Sequence, residues 1–486
     1  MIYKLKALFF TNGDTRKTVF KNFLWLSMSQ VGSRIIRAAI TIYSARALGA
    51  TQYGIYSYAM GLAGFFIFFK NIGIDSIMTR DIAKDPASRE KIFSTGFWIE
   101  IVLLVITAFL LLFVAPLFSA VPDAIVLLPV IAVILIADDL RDFFVAFFRG
   151  IEKMEWEAIV ITIANVLMTV FGFAALALAK TPLSLAASYA AAATLVTFIT
   201  GGIIFWRYGL GVIRNFTRAL VVPILNAAWP IAASALPSIF LFNVDLVMLG
   251  WWRPVSEVGV YAAAQKVIGI LAIFPGLISI STFPVFARLA HQKDVGRTRE
   301  LAESVLRIMF AFSIPVVAGG SLLAVPLLGY LFGSEYMYGA NAFMILLLSI
   351  FSMYPLAIFS NYVFVHDLQR KAVLYPFISA GTNLLLNYLL VPRFGMVGAS
   401  LASFVSFFIY AWSMKRLMCS VQPFAVFRNP MKILISTLGM VCMTGALMFI
   451  GVHVLVNVSI SAVLYLGFLV AQKDESLSEA LALFKK

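Results

Sequence analysis

Residues 20–48 read FKNFLWLSMSQVGSRIIRAAITIYSARAL, a run apolar and long enough to cross a bilayer that nonetheless carries Arg34 and Arg37 in its interior. Counted from Phe23, Arg34 lies about 17 Å along a helix, near the middle of a hydrocarbon core about 30 Å thick. An arginine at that depth costs at least about 2.5–3.5 kcal/mol. Three positions apart, the two guanidinium groups share one helix face and can serve one cavity. They either satisfy buried carboxylates or snorkel to an interface, or they line a basic, water-filled cavity that receives an anionic substrate. The second reading is preferred.

Working outward, the 486 residues are 62% hydrophobic and only 12% charged, with mean hydropathy +0.96. A soluble globular chain could not cover that much apolar surface, so the sequence describes a polytopic membrane protein. The net charge of +14 does not point to nucleic acid, because the basic residues are scattered through short loops. Cys419 and Cys442 sit at the edge of and inside apolar runs, and His291, His366 and His453 have no ligand spacing. Neither a disulfide nor a metal is expected.

Hydropathy and helix breakers predict an all-α chain of about fourteen transmembrane helices. The spans run near 21–45, 52–75, 92–117, 122–148, 155–179, 183–207, 223–250, 257–286, 302–332, 338–365, 371–391, 395–416, 430–450 and 453–471. Pro230, Pro237, Pro275, Pro284, Pro315 and Pro326 predict kinks in the seventh to ninth. With the N-terminus inside, 27 of the 37 Lys and Arg fall on inner segments. Four (Arg46, Lys180, Arg253, Arg393) fall on outer loops, and six lie within spans. That asymmetry predicts a multi-pass protein of the cell membrane with both termini cytoplasmic.

Leu48-Gly49 followed by YGIYSYA (53–59) is echoed by Leu249-Gly250 followed by VGVYAAA (258–264), and Ala164-Asn165-Val166-Leu167 by Thr382-Asn383-Leu384-Leu385. The echoes predict two pseudo-symmetric six-helix lobes, parallel repeats about an axis along the membrane normal. The resulting plan is an interfacial segment (1–20), an N-lobe (21–208), a cytoplasmic linker (209–222) and a C-lobe (223–416). Two extra spans (417–471) and a cytoplasmic amphipathic tail (472–486) complete it, the tail with Leu477, Leu481 and Phe484 at helical spacing.

The intramembrane cations Arg34, Arg37, Lys70, Lys266 and Arg307 are the candidate substrate-binding set. Asp138, Arg141 and Asp142 lie within one turn, and Asp245 stands alone in its span. These four are candidates for charge pairing or for H+ or Na+ coupling. No phosphate-binding loop is present and no loop is long enough for a soluble catalytic domain, so an enzyme is not expected. The small-residue stretch 185–195 reads as close helix contact.

The stretches ARALGATQYGIY (45–56), FRGIEKM (148–154), DLVMLG (245–250) and EVGVYAAA (257–264) resemble the polysaccharide-exporter and lipid-linked oligosaccharide flippases (O-antigen type) of the multidrug/oligosaccharidyl-lipid/polysaccharide superfamily. The resemblance covers nearly the whole chain. It implies two lobes working by alternating access, and movement of a polyprenyl-pyrophosphate-linked glycan from the inner to the outer leaflet. It also implies a cationic cavity into which Arg34, Arg37, Lys70 and Lys266 fit. Membrane lipids, and a polysaccharide polymerase and glycosyltransferases, are the implied partners. A peptidoglycan-precursor (lipid II) flippase, a multidrug or cation antiporter of the same superfamily, and a non-transporting scaffold are the rival readings.

Overall fold

The computed structural model describes residues 15–70, 72–209, 215–427, 430–472 and 474, with side chains from Gly32 onward except that of Lys70. The predicted interfacial segment up to residue 14, and the tail residues Leu477, Leu481 and Phe484, lie outside the described residues. The described chain is helical throughout, with no strand. In hydrocarbon only structures that satisfy every backbone N–H and C=O within themselves survive, and a helix does so locally.

The helices that matter below are α1 (Thr15–Lys70), α2 (Ile74–Lys84), α3 (Arg89–Phe109), α4 (Leu128–Gly150), α5 (Met154–Leu178), α6 (Pro182–Tyr208), α7 (Val221–Trp252), α8 (Val255–Leu271), α9 (Ile273–His291), α10 (Val295–Leu322) and α11 (Ala324–Phe332). After these come α12 (Ala340–Leu348), α13 (Ile350–Val365), α14 (Leu374–Val421), α15 (Met431–Phe449) and α16 (Val454–Ala471). Among the described residues ten stretches are long and apolar enough to cross a membrane, eleven with one bent pair counted. The bent pair opens at Gly32 and takes in the first two predicted spans, and Gln369–Val421 takes in two more. Inside α1 and α14 the breaks fall at Gly49 (φ 74°) and Gly395 (φ 56°), a backbone region that glycine enters without penalty. α4 is not among the ten because its middle carries Asp138, Asp139, Arg141 and Asp142. Fourteen spans are consistent with this arrangement.

The prolines fall into two groups. Pro230, Pro237, Pro284 and Pro315 stay inside continuous helices. The interruptions fall instead at Ala272 and Leu323, which puts Pro275 and Pro326 in the first turn of α9 and α11. There a missing N–H costs no intrahelical bond.

The chain divides into two compact units, the first of residues up to Leu48 and Ile55–Ile239, the second of Gly49–Gly54 and Phe240–Lys486. In the first, α4 packs on α6 through small residues: Ala186, Ala192 and Ala193 are fully buried, as the 185–195 stretch predicts. Phe93 of α3, Phe143, Phe144 and Phe147 of α4 and Phe205 of α6 stack into one aromatic cluster. In the second unit, the hairpin of α15 and α16 is zipped by buried polar groups. Thr444 and Ser461 hydroxyls meet at 2.7 Å, and Asn457 Nδ2 donates to Thr444 O at 3.1 Å. The Tyr465 hydroxyl donates to Ala311 O of α10 at 2.5 Å, which docks the hairpin. An apolar cavity of about 550 Å³ lies among these helices, lined in part by Leu271, Phe274, Phe312, Leu347 and Met440. The segment Gly49–Gly54 belongs to this unit too: a Cβ on Gly54 would sit 2.1 Å from Val255 O, and one on Gly259 would sit 1.9 Å from Ala50 O. The YG and VG echo in the sequence is therefore a reciprocal backbone contact that only glycine permits.

Candidate functional site: cations and a buried carboxylate

The first group of charges stands on α1. Ser33, Ile40 and Ser44 are buried, and they mark the face packed into the unit. Arg37, one turn from both Ser33 and Ile40, lies at the edge of that face with Arg34 beside it, and both side chains are exposed. Arg37 donates through Nε to Oδ1 of Asn165 on α5 at 3.0 Å. Asn165 is buried, and its Nδ2 donates to the carbonyl of Ile161 one turn back at 2.7 Å. No carboxylate pairs with Arg34 or Arg37 among the described residues. Two cations three positions apart, paired with no described carboxylate, leave net positive charge on this part of α1.

The second group is closed on itself. On α4, Arg141 donates through Nη1 to Asp138 at 2.6 Å and through Nη2 to Asp142 at 2.8 Å. One guanidinium bridges two carboxylates on the same helix, so its donors are already committed. Nearby, Arg149 pairs with the buried Glu157 at 2.9 Å.

Asp245 sits on α7 with no exposed surface. It is coordinated by donors rather than by a cation. Tyr261 of α8 and Ser403 of α14 each donate a hydroxyl to Oδ2 at 2.5 Å, and Asn387 of α14 donates Nδ2 to Oδ1 at 2.7 Å. The same Asn387 nitrogen lies 2.9 Å from Asn383 O. Asn387 and Ser403 flank the break at Gly395, so the carboxylate ties both arms of α14 to α7 and α8. Of the two roles raised for Asp245, pairing with a cation is not the one built among the described residues.

Arg307 requires a correction. It was expected to join the cationic cavity, but its side chain is 2% exposed and donates through Nη2 to Asp474, itself 0% exposed, at 2.9 Å. The guanidinium is committed to a structural ion pair between α10 and the chain just beyond α16. Lys266 is exposed on α8, and Lys70 closes α1 with its side chain outside the described residues. Arg307→Ala is expected to lower stability by about 3–5 kcal/mol, because it orphans a buried carboxylate. Thermal unfolding of the purified protein checks this. The double replacement Arg307→Met with Asp474→Leu is expected to recover most of the loss.

Asn165, Tyr261, Asn387 and Ser403 were not singled out by the sequence as site residues, although Asn165 and Tyr261 both fall within the echoed segments. For those two the signal was the repeat itself, whereas Asn387 and Ser403 lie outside the echoed segments.

A family model described as polysaccharide biosynthesis protein matches residues 19–290, and one described as lipid II flippase MurJ matches residues 256–469. The probable flippase AglR of Haloferax volcanii is 26% identical over 165 residues, 34% of this chain and 35% of that protein. The probable low-salt glycan biosynthesis flippase Agl15 of the same organism is 24% identical over 174 residues, 36% of this chain and 37% of that protein. The aligned part therefore spans about a third of the length of these curated relatives. Among solved structures, lipid II flippase MurJ in an inward closed conformation superposes with TM-score 0.77 at 17% identity, covering 93% of this chain and 99% of that one. An inward-facing multidrug resistance MATE family transporter of the MOP superfamily superposes with TM-score 0.62 at 15% identity, over 80% and 99%. These two likenesses show a shared fold.

Proposed function

We propose, since this chain belongs to the polysaccharide biosynthesis protein family, that it carries an anionic polyprenyl-(pyro)phosphate-linked oligosaccharide from the inner to the outer leaflet of the cell membrane. It does so by alternating access, in the assembly of cell-surface polysaccharide such as O-antigen, capsule or exopolysaccharide. The observation that carries the reading is the pair Arg34 and Arg37, exposed on a membrane-depth helix and paired with no carboxylate among the described residues. A pyrophosphate with its sugars cannot enter about 30 Å of hydrocarbon unaided, since each bare polar group costs several kcal/mol. Two guanidinium groups offset part of that dehydration, and they are suited to phosphate by their two-pronged donors. The glycan-flippase names of the two Haloferax relatives support the same substrate class. Lys70 and Lys266 extend the cationic set in this reading, both termini face the cytoplasm, and a polymerase and glycosyltransferases act on either side of the step.

Direction must come from outside the lipid. Asp245, a carboxylate ringed by three donors on two other helices, is the proposed point of H+ or Na+ coupling. The lipid II flippase reading is the second, favoured by the match of residues 256–469 to that family model. Translocation in proteoliposomes separates them. A fluorescent polyprenyl-pyrophosphate oligosaccharide is expected to become accessible on the far face, while lipid II moves poorly. Movement of lipid II alone would favour the second reading, and movement of neither would defeat the proposal.

A further inference from the structure

The contact between Arg37 and Asn165 holds more than a packing interaction. Nε is one of five guanidinium donors, and it is the one Asn165 takes. Both terminal nitrogens of Arg37 have no partner among the described residues, and the side chain is exposed. The Asn165 amide can face only one way. With Nδ2 on the Ile161 carbonyl, Oδ1 is turned to the guanidinium. A flipped amide would set NH2 against N–H and oxygen against oxygen. Burial of Asn165 (6% exposed) holds the amide in that pose. An amide, unlike a carboxylate, orients the guanidinium without neutralising it.

We infer that Asn165 is the positioning residue for phosphate recognition: it fixes Arg37 so that its end-on pair, Nη1 and Nη2, meets a phosphate oxygen pair while the full positive charge is kept. The inference rests on the proposed substrate class and names which arginine engages the linker bidentately. Arg34, which no described partner holds, supplies charge without orientation. The repeat strengthens the point. Asn383, the counterpart of Asn165 in the echoed segments, contacts Asn387 beside Asp245, so the same asparagine anchors a different polar client in each unit.

The test uses the full-length purified protein in lipid nanodiscs, with a C55 polyprenyl pyrophosphate and the matching polyprenol as probes. Asn165→Asp, whose carboxylate pairs with Arg37, is expected to weaken binding of the pyrophosphate by roughly tenfold or more, and Asn165→Leu by roughly threefold to tenfold. Polyprenol binding should be unchanged in both. In an Arg37→Ala background neither replacement should cause further loss, which a merely structural role would not predict. Unchanged pyrophosphate binding in Asn165→Asp, or an equal loss in the Arg37→Ala background, would overturn the inference. If Asn165→Asp does not fold, Asn165→Leu completes the same cycle, and either of those two outcomes in it overturns the inference equally. The substrate reading fails separately: Arg37→Ala with an undiminished preference for the pyrophosphate would sink that reading. Loss of preference in Arg37→Ala with both Asn165 variants normal would sink the positioning role alone.

Discussion

Arg37→Ala is expected to cut translocation of a polyprenyl-pyrophosphate glycan by about 10- to 100-fold, the loss of one charge-assisted, two-pronged contact. The double replacement Arg34→Ala with Arg37→Ala should abolish transport. Both proteins should fold. Arg37 gives up one hydrogen bond to the buried Asn165 amide, and among the described residues no carboxylate is orphaned by removing it, so the stability cost stays at about 1–3 kcal/mol. Arg307 is the contrast, since its removal strands Asp474. Arg34→Lys should retain most activity, because a point charge suffices where nothing orients the group. Arg37→Lys should recover less, since an ammonium lacks the Nε donor that Asn165 holds and the paired terminal nitrogens. Transport rates in proteoliposomes, with thermal unfolding alongside, check all four. Normal transport by the double variant would leave the arginines a structural role only.

Asp245→Ala should have the largest effect on the fold. It removes the acceptor of two buried hydroxyls, those of Tyr261 and Ser403, while the Asn387 amide keeps its contact with Asn383. Each stranded donor costs about 1–3 kcal/mol, so the second unit should lose several kcal/mol and purify poorly. Asp245→Asn keeps the volume and one acceptor oxygen and should fold. If this site couples transport to H+ or Na+, Asp245→Asn should bind the charged lipid normally yet lose the dependence of transport on an imposed ion gradient. Binding and gradient-driven transport, measured side by side, separate these effects. An unchanged gradient dependence in Asp245→Asn would remove Asp245 from the coupling step.

How far the sequence could be read depended on the range of each interaction. Span positions were legible because the bilayer imposes a length on every apolar run, and α4 was read as one of them, in spite of its charges, from hydropathy and the helix breakers that flank it. Arg34 and Arg37 were legible because a charge at membrane depth is conspicuous in one dimension. Their distinction was not: Asn165 lies 128 positions from Arg37, and an asparagine in a span attracts no notice by itself. The same limit hid the Asp245 network, whose donors Asn387 and Ser403 lie 142 and 158 positions away. Arg307 was misread for the same reason. Its partner Asp474 stands 167 positions on, in a segment read as a cytoplasmic tail, where no pairing with a span was expected.

A basic site selects the linker more than the sugar, because pyrophosphate is common to all such carriers. Competition binding tests that claim most directly, with a labelled lipid-linked glycan displaced by bare C55 polyprenyl pyrophosphate, by lipid-linked glycans of other sugars, and by neutral C55 polyprenol. The pyrophosphate and the other glycans should displace the label at similar concentrations, with the neutral polyprenol about 100-fold weaker. Equal displacement by the neutral and the charged lipid would contradict the assignment of Arg34 and Arg37 as the recognition element.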